Sequence, residues 1–143
     1  MTEQITITID GTPVGKARAR VLRSGGAYTP AKSVNYETAI GWAARDAMRG
    51  RQPFVGGVTV TAAFDMPIPV SWSKRKQAMA ITGQLTPGRP DLDNMMKAVL
   101  DALNGVAFQD DASVLSITAR KRFSTSPKTI CTVSPTNPEG GDQ

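Results

Sequence analysis

Asp91, Asp93, Asp101, Asp110 and Asp111 crowd into one short stretch of this chain, with Arg89 ahead of them and Lys97 among them. Residues 89–111 hold two cations and five acids, a local balance of −3, in a chain whose formal charge is +5. Such a knot repels phosphate unless a divalent cation sits in it, while the basic flanks attract phosphate whatever its sequence. Hard carboxylate oxygens suit Mg²⁺, which takes one or two protein carboxylates and fills the rest of its shell with water and substrate phosphate. The ion polarises a phosphoryl oxygen and lowers the pKa of an attacking water. A nearby lysine offsets charge that grows in the transition state. The pattern points to metal-assisted phosphodiester hydrolysis. Histidine is absent, which excludes histidine acid–base chemistry, Ser-His triads and His-ligated zinc.

Spacing suggests how these groups meet. Two residues apart in an extended stretch, Asp91 and Asp93 project to one side and can face one cation. Asp93 is placed to cap a helix from Asn94 to about Leu103, with Asn104-Gly105 as its stop. On that helix Asp93, Lys97 and Asp101 stack four residues apart, and Met96, Val99, Leu100 and Leu103 form the face that anchors to the core. Asp110-Asp111 leads into a strand from Val114 and can return beside the helix start. A plainer reading stays open: a cap, two exposed i,i+4 ion pairs and a polar turn. A calcium loop starting at Asp91 is excluded, because its sixth and twelfth positions are Met96 and Ala102 rather than glycine and an acid. An Asp-x-Asp phosphatase fits poorly, since a Pro- and Gly-rich loop precedes Asp91.

The elements that must position this knot follow from periodicity. Ile5 to Ile9 alternates as a strand with its isoleucines inward. Gly11 to Pro30 reads as a loop or loose hairpin bearing Lys16, Arg18, Arg20 and Arg23, with Gly25-Gly26 as a turn. A helix from a Ser33 cap to about Arg49 buries Tyr36, Ile40, Ala43, Ala44, Ala47 and Met48, and Gly50 ends it. Val58, Val60, Ala62, Phe64 and Met66 point inward from a second strand, alternating with Thr59, Thr61, Ala63 and Asp65. Ser71 or Ser73 caps a short helix through about Ile81 that begins Lys74-Arg75-Lys76. Strands from Val114 to Arg122 and Lys128 to Val133 complete an α+β domain over residues 1–134: one mixed sheet of about four strands, about three helices, and a tail over 135–143.

The stretch from Arg89 to Val114 resembles the signature of the RusA family of Holliday junction resolvases. Pro69-Val70-Ser71-Trp72-Ser73 before a basic helix, and the Pro13, Lys16, Arg18, Arg20 segment after the first strand, agree with it. The resemblance implies a homodimeric, Mg²⁺-dependent, structure-specific endodeoxyribonuclease that makes paired nicks in four-way DNA junctions. By position, it implies Asp91, Asp93 and Asp111 as catalytic metal ligands and Lys97 as the required lysine. The segment between the helix and Asp110-Asp111 can vary by a residue in the family, so Asp111 over Asp110 is the softest of these carry-overs.

Bulk properties agree. A pI of about 9.7 favours an acidic partner, and nucleic acid is the commonest. Lys16, Arg18, Arg20, Lys74, Arg75, Lys76 and Arg89 are candidates for phosphate contact, against the plain reading of solvated surface charge. Trp42 and Trp72 are candidates for stacking on DNA or for burial in a core or interface. The lone Cys131 lies in an apolar run, which suits a buried thiol in a reducing cytosol. No segment is apolar enough to span a membrane, and the expected location is the cytoplasm, for a bacterial or phage-encoded intracellular protein. Two other functions stay open: a DNA-binding protein without activity, and a nuclease of the same chemistry that also cuts flaps or forks.

Overall fold

A computed structural model describes residues 4–17, 20–21, 23–28 and 31–136. Arg18 and residues 137–143 of the expected tail lie outside them. Four strands, β1 (Ile5–Asp10), β4 (Val58–Pro67), β5 (Val114–Ser124) and β6 (Lys128–Pro135), form one sheet in the order β1-β6-β4-β5. A two-stranded ribbon, β2 (Arg20–Val21) with β3 (Ala27–Tyr28), fills the stretch read as a loose hairpin. The helices are α1 (Ala31–Met48), α2 (Lys74–Ile81) and α3 (Leu92–Leu103). The α+β class, the mixed sheet and the helix count agree with expectation. β6 runs on to Pro135, two residues past its expected end at Val133.

Alternation makes the sheet one-sided. Val58, Val60, Ala62, Phe64 and Met66 are all buried, and so are their register partners Cys131 and Val133 on β6. Ile5 and Ile7 of β1 continue that face. α1 and α3 cover it, giving two layers around one core. α1 presents Tyr36, Ile40, Ala44 and Met48, as its periodicity requires. It begins two residues before the expected Ser33 cap, so Ser33 is buried in its first turn. Gly50 adopts φ +78°, the left-handed conformation that ends a helix at low cost in glycine.

β4 and β5 pair in parallel. A parallel pair needs a long crossover, and α2, a loop and α3 supply it. α3 therefore returns along β5 in the opposite direction. The far sheet face is polar and rich in threonine, with one buried exception. Asp65, read as an outward residue, is 1% exposed. In register beside it stand Arg122 and Lys128. Arg122 Nε donates to Asp65 Oδ1 at 3.0 Å, and Lys128 Nζ lies 3.7 Å from Oδ2. Cations on both neighbouring strands let a carboxylate sit where alternation predicts an exposed side chain.

Candidate active site

α3 starts earlier than its spacing suggests. Asp91, not Asp93, takes the N-cap position with extended backbone, and Asp93 lies in the first turn, where its Oδ1 accepts from Asn94 N at 3.0 Å. The two carboxylates therefore do not alternate along a strand. Both sit where the helix dipole favours negative charge. Asp91 makes no side-chain cap bond, so its carboxylate is not spent on the helix end.

The helix face matches expectation. Asp93, Lys97 and Asp101 line one open groove of about 620 Å³, together with Leu92, Met96, Leu100, Asp111, Ile117 and Ala119. Leu100 belongs to this floor and is only partly buried; Met95 takes the expected place in the core, fully buried. Asp111 reaches the groove from the other segment. Asp110 does not: it caps the 3-10 turn Asp111–Ser113, its Oδ2 accepting from Ala112 N at 3.1 Å. Among the described residues, Lys97 forms no ion pair with Asp93 or Asp101. The i,i+4 pairs of the plainer reading are not made, and the Lys97 ammonium stays exposed.

Two lysines shape the groove in ways that motif reading missed. Lys16, a candidate phosphate contact, is engaged inside the protein. Its Nζ lies 2.9 Å from Glu37 Oε2 on α1 and 3.0 Å from Asp101 Oδ2 on α3. Partial burial opposes its charge, but the hydrogen bonds and charges of Glu37 and Asp101 outweigh this and raise its pKa above the ordinary lysine value. Its backbone N–H donates to Asn94 O at 3.0 Å. Beside it Gly15 packs so closely that a Cβ would stand 2.7 Å from Pro90 Cβ. The segment before the ribbon thus clamps the start of α3. Lys121 holds the same turn from the sheet side: its Nζ donates to Pro90 O at 2.9 Å and also to Gly88 O. It shares the inward parity of Ile117, Ala119 and Phe123 on β5. A cation at a core-facing strand position was the available signal.

The remaining basic candidates fall elsewhere. Lys74, Arg75 and Lys76 form the exposed first turn of α2, and Arg89 is exposed in the loop before Asp91. Arg20 opens β2. Trp72 rests on Phe123, while Trp42 is exposed under Arg45.

The carboxylates are spread over two places. Asp93 and Asp111 border one groove, while Asp91 stands at the helix start, outside its lining. Among the described residues, no three acidic side chains converge closely enough to enclose one ion. This geometry does not make the closed set that Asp91, Asp93 and Asp111 would form. It does suit Mg²⁺ held by one or two carboxylates and completed by water and phosphate.

No helix among the described residues is long and apolar enough to cross a membrane. The chain is 34% identical over 130 residues to the uncharacterized protein YqaN of Bacillus subtilis (strain 168), covering 87% of this chain and 91% of that one. Residues 10–134 match the family described as Endodeoxyribonuclease RusA, a span that takes in the clamp, the groove and the whole crossover. With that match across most of its length, the chain belongs to the RusA family of endodeoxyribonucleases, the Holliday junction resolvases.

Proposed function

We propose that this chain binds four-way DNA junctions as an intracellular homodimer and, with Mg²⁺, nicks two opposed strands symmetrically. The observation that carries this reading is the groove itself. Asp93 and Asp111 come from separate segments, and Lys97, which forms no ion pair among the described residues, stands between acids on the same helix face. A bound Mg²⁺ would supply polarisation of the scissile phosphate and an activated water. Asp93, Asp111 and the uncommitted Asp91 are the groups that would hold it. Asp110, tied to its own turn, is a poorer ligand than Asp111.

Each chain residue then has a task. Lys97 faces the phosphate and offsets its growing charge. Lys16 orients Asp101 and locks α3 to α1, so its role shifts from phosphate contact to positioning. Lys121 fixes the turn that delivers Asp91. Lys74, Arg75, Lys76 and Arg89, with Arg18 and Arg20, contact backbone phosphates, which read shape and not sequence. Two active sites related by a two-fold axis match two scissile strands.

Product mapping tests this. Wild-type protein is incubated with a mobile four-way junction, a fork and a linear duplex, with Mg²⁺ or with chelator. Symmetric, religatable nicks confined to the junction and dependent on Mg²⁺ are expected. Equal cutting of fork and junction would instead favour the broader branched-DNA nuclease, and no cutting with retained binding would overturn the catalytic roles.

A further inference from the structure

Val70 is 96% exposed, the highest value among the described large hydrophobic residues. It sits at the corner of the turn Pro69–Trp72, where Trp72 N donates to Pro69 O at 3.2 Å. The turn is braced. Gln77 Nε2 donates to Trp72 O at 2.8 Å, the Trp72 ring meets Phe123 edge-on at 5.4 Å, and the Lys76 ammonium lies 4.2 Å from the Trp72 ring centroid. Proline fixes φ at position 69. One exposed apolar residue is ordinary on a protein surface. Its setting here is not.

Directly after the turn come Lys74, Arg75 and Lys76, all in the first turn of α2, with no acid there to offset them. Cations at a helix N-terminus oppose the helix dipole, so local stability does not explain the choice. Among the described residues none of the three forms an ion pair. An exposed apolar tip followed at once by cations that form no ion pair among the described residues complements a polyanion with apolar surfaces between its charges, which describes stacked bases between phosphates. The turn is linked through β5 to the loop that precedes α3. Phe123, which supports Trp72, lies two residues beyond Lys121 on the same face of β5, about 7 Å along the strand. Lys121 in turn holds Pro90, next to Asp91. Through these contacts the turn stands within a few nucleotides of Asp91, at roughly 3.4 Å per nucleotide.

We infer that Val70 is a wedge: it enters the base step that is unstacked where DNA arms meet, with Trp72 as its support and the α2 cations on the flanking phosphates. The inference rests on the branched-DNA reading above. Apolar side chains pushed between bases must part a stack, and a step already open at a branch resists least. Val70 thereby favours branched over linear DNA and sets the nick near the branch.

The test places 2-aminopurine at the branch of a junction and, separately, within a linear duplex, both in chelator so that no strand is cut. Wild-type protein should raise the fluorescence of the junction probe. Val70→Ser should lose most of that rise and about tenfold of its preference for junction over duplex, while Val70→Ile should keep both. Unchanged fluorescence and preference in Val70→Ser overturn the wedge. So does a change in the sedimentation of the free variant, which would place the tip between protein copies. Wild-type nicking is run in parallel with Mg²⁺. Cleavage by wild type with no effect of Val70→Ser removes the wedge alone, whereas wild type that neither binds nor cuts the junction removes the parent reading with it.

Discussion

At the level of single residues, the proposed mechanism divides the acids into those that would hold the metal and those tied into structure. Asp93→Asn and Asp111→Asn should each lower junction nicking by at least about 100-fold, the scale of losing one preorganised electrostatic group. Junction binding should survive or tighten, because repulsion of phosphate is removed. Asp110→Asn should retain most activity, since an amide oxygen can still accept from Ala112 N. Gel-shift and nicking assays on the same junction separate these outcomes. Lys16→Met should cost about 1–2 kcal/mol in denaturant unfolding, as expected for a partly buried network that loses its cation. The sign of its pH dependence follows from the raised pKa. The Lys16 contribution is fully present below the unfolded lysine value of 10.5 and fades as pH rises through the higher folded value. A wild-type minus Lys16→Met stability difference that already falls between pH 7 and 9 would contradict this assignment. The shared helix face of Asp93, Lys97 and Asp101 was legible in their spacing, because helical periodicity needs only one sequence segment. The Lys16 and Lys121 roles were not, because each depends on a partner in another element.

Among elements, the turn at Pro90–Asp93 is the hinge of the design, and it is gripped from two sides. Gly15 allows the first strand's following segment to lie against Pro90, and Lys121 holds the carbonyls of Gly88 and Pro90 from β5. Gly15→Val should push this turn away, since a proline ring cannot rotate aside. The expected result is a folded protein, by circular dichroism, with nicking reduced at least about tenfold. Element positions were largely readable: strand alternation located β1, β4, β5 and β6, and Ser73 caps α2 as one of two candidates. Boundaries moved where capping chemistry was ambiguous. Asp91 and Asp93 are equally good cap residues by type, and the chain chose the earlier one. The parallel pairing of β4 with β5 was not visible, because alternation gives faces and not neighbours.

For the whole molecule, the polar sheet face depends on one buried acid. Removing the Arg122 partner leaves Asp65 enclosed with only Lys128, at 3.7 Å. Arg122→Ala should therefore destabilise by about 3 kcal/mol, measured by urea unfolding, whereas Asp65→Asn should cost less because Arg122 can turn to water. That acid was misread for a general reason: alternation ranks exposure by parity and cannot see countercharges on the neighbouring strands. Opposite this face lies the chain's lone thiol. Cys131 is buried in the core, and burial pushes its pKa up to about 12. An alkylating reagent at mild pH can reach it only when the central strands part. Its labelling rate thus times how often the core opens, through a single signal with no competing cysteine. A DNA ligand that grips only the closed form must slow that clock by the factor 1 + [L]/Kd, so modification of one sulfur reads affinity in catalytically dead variants that leave no cut product to count.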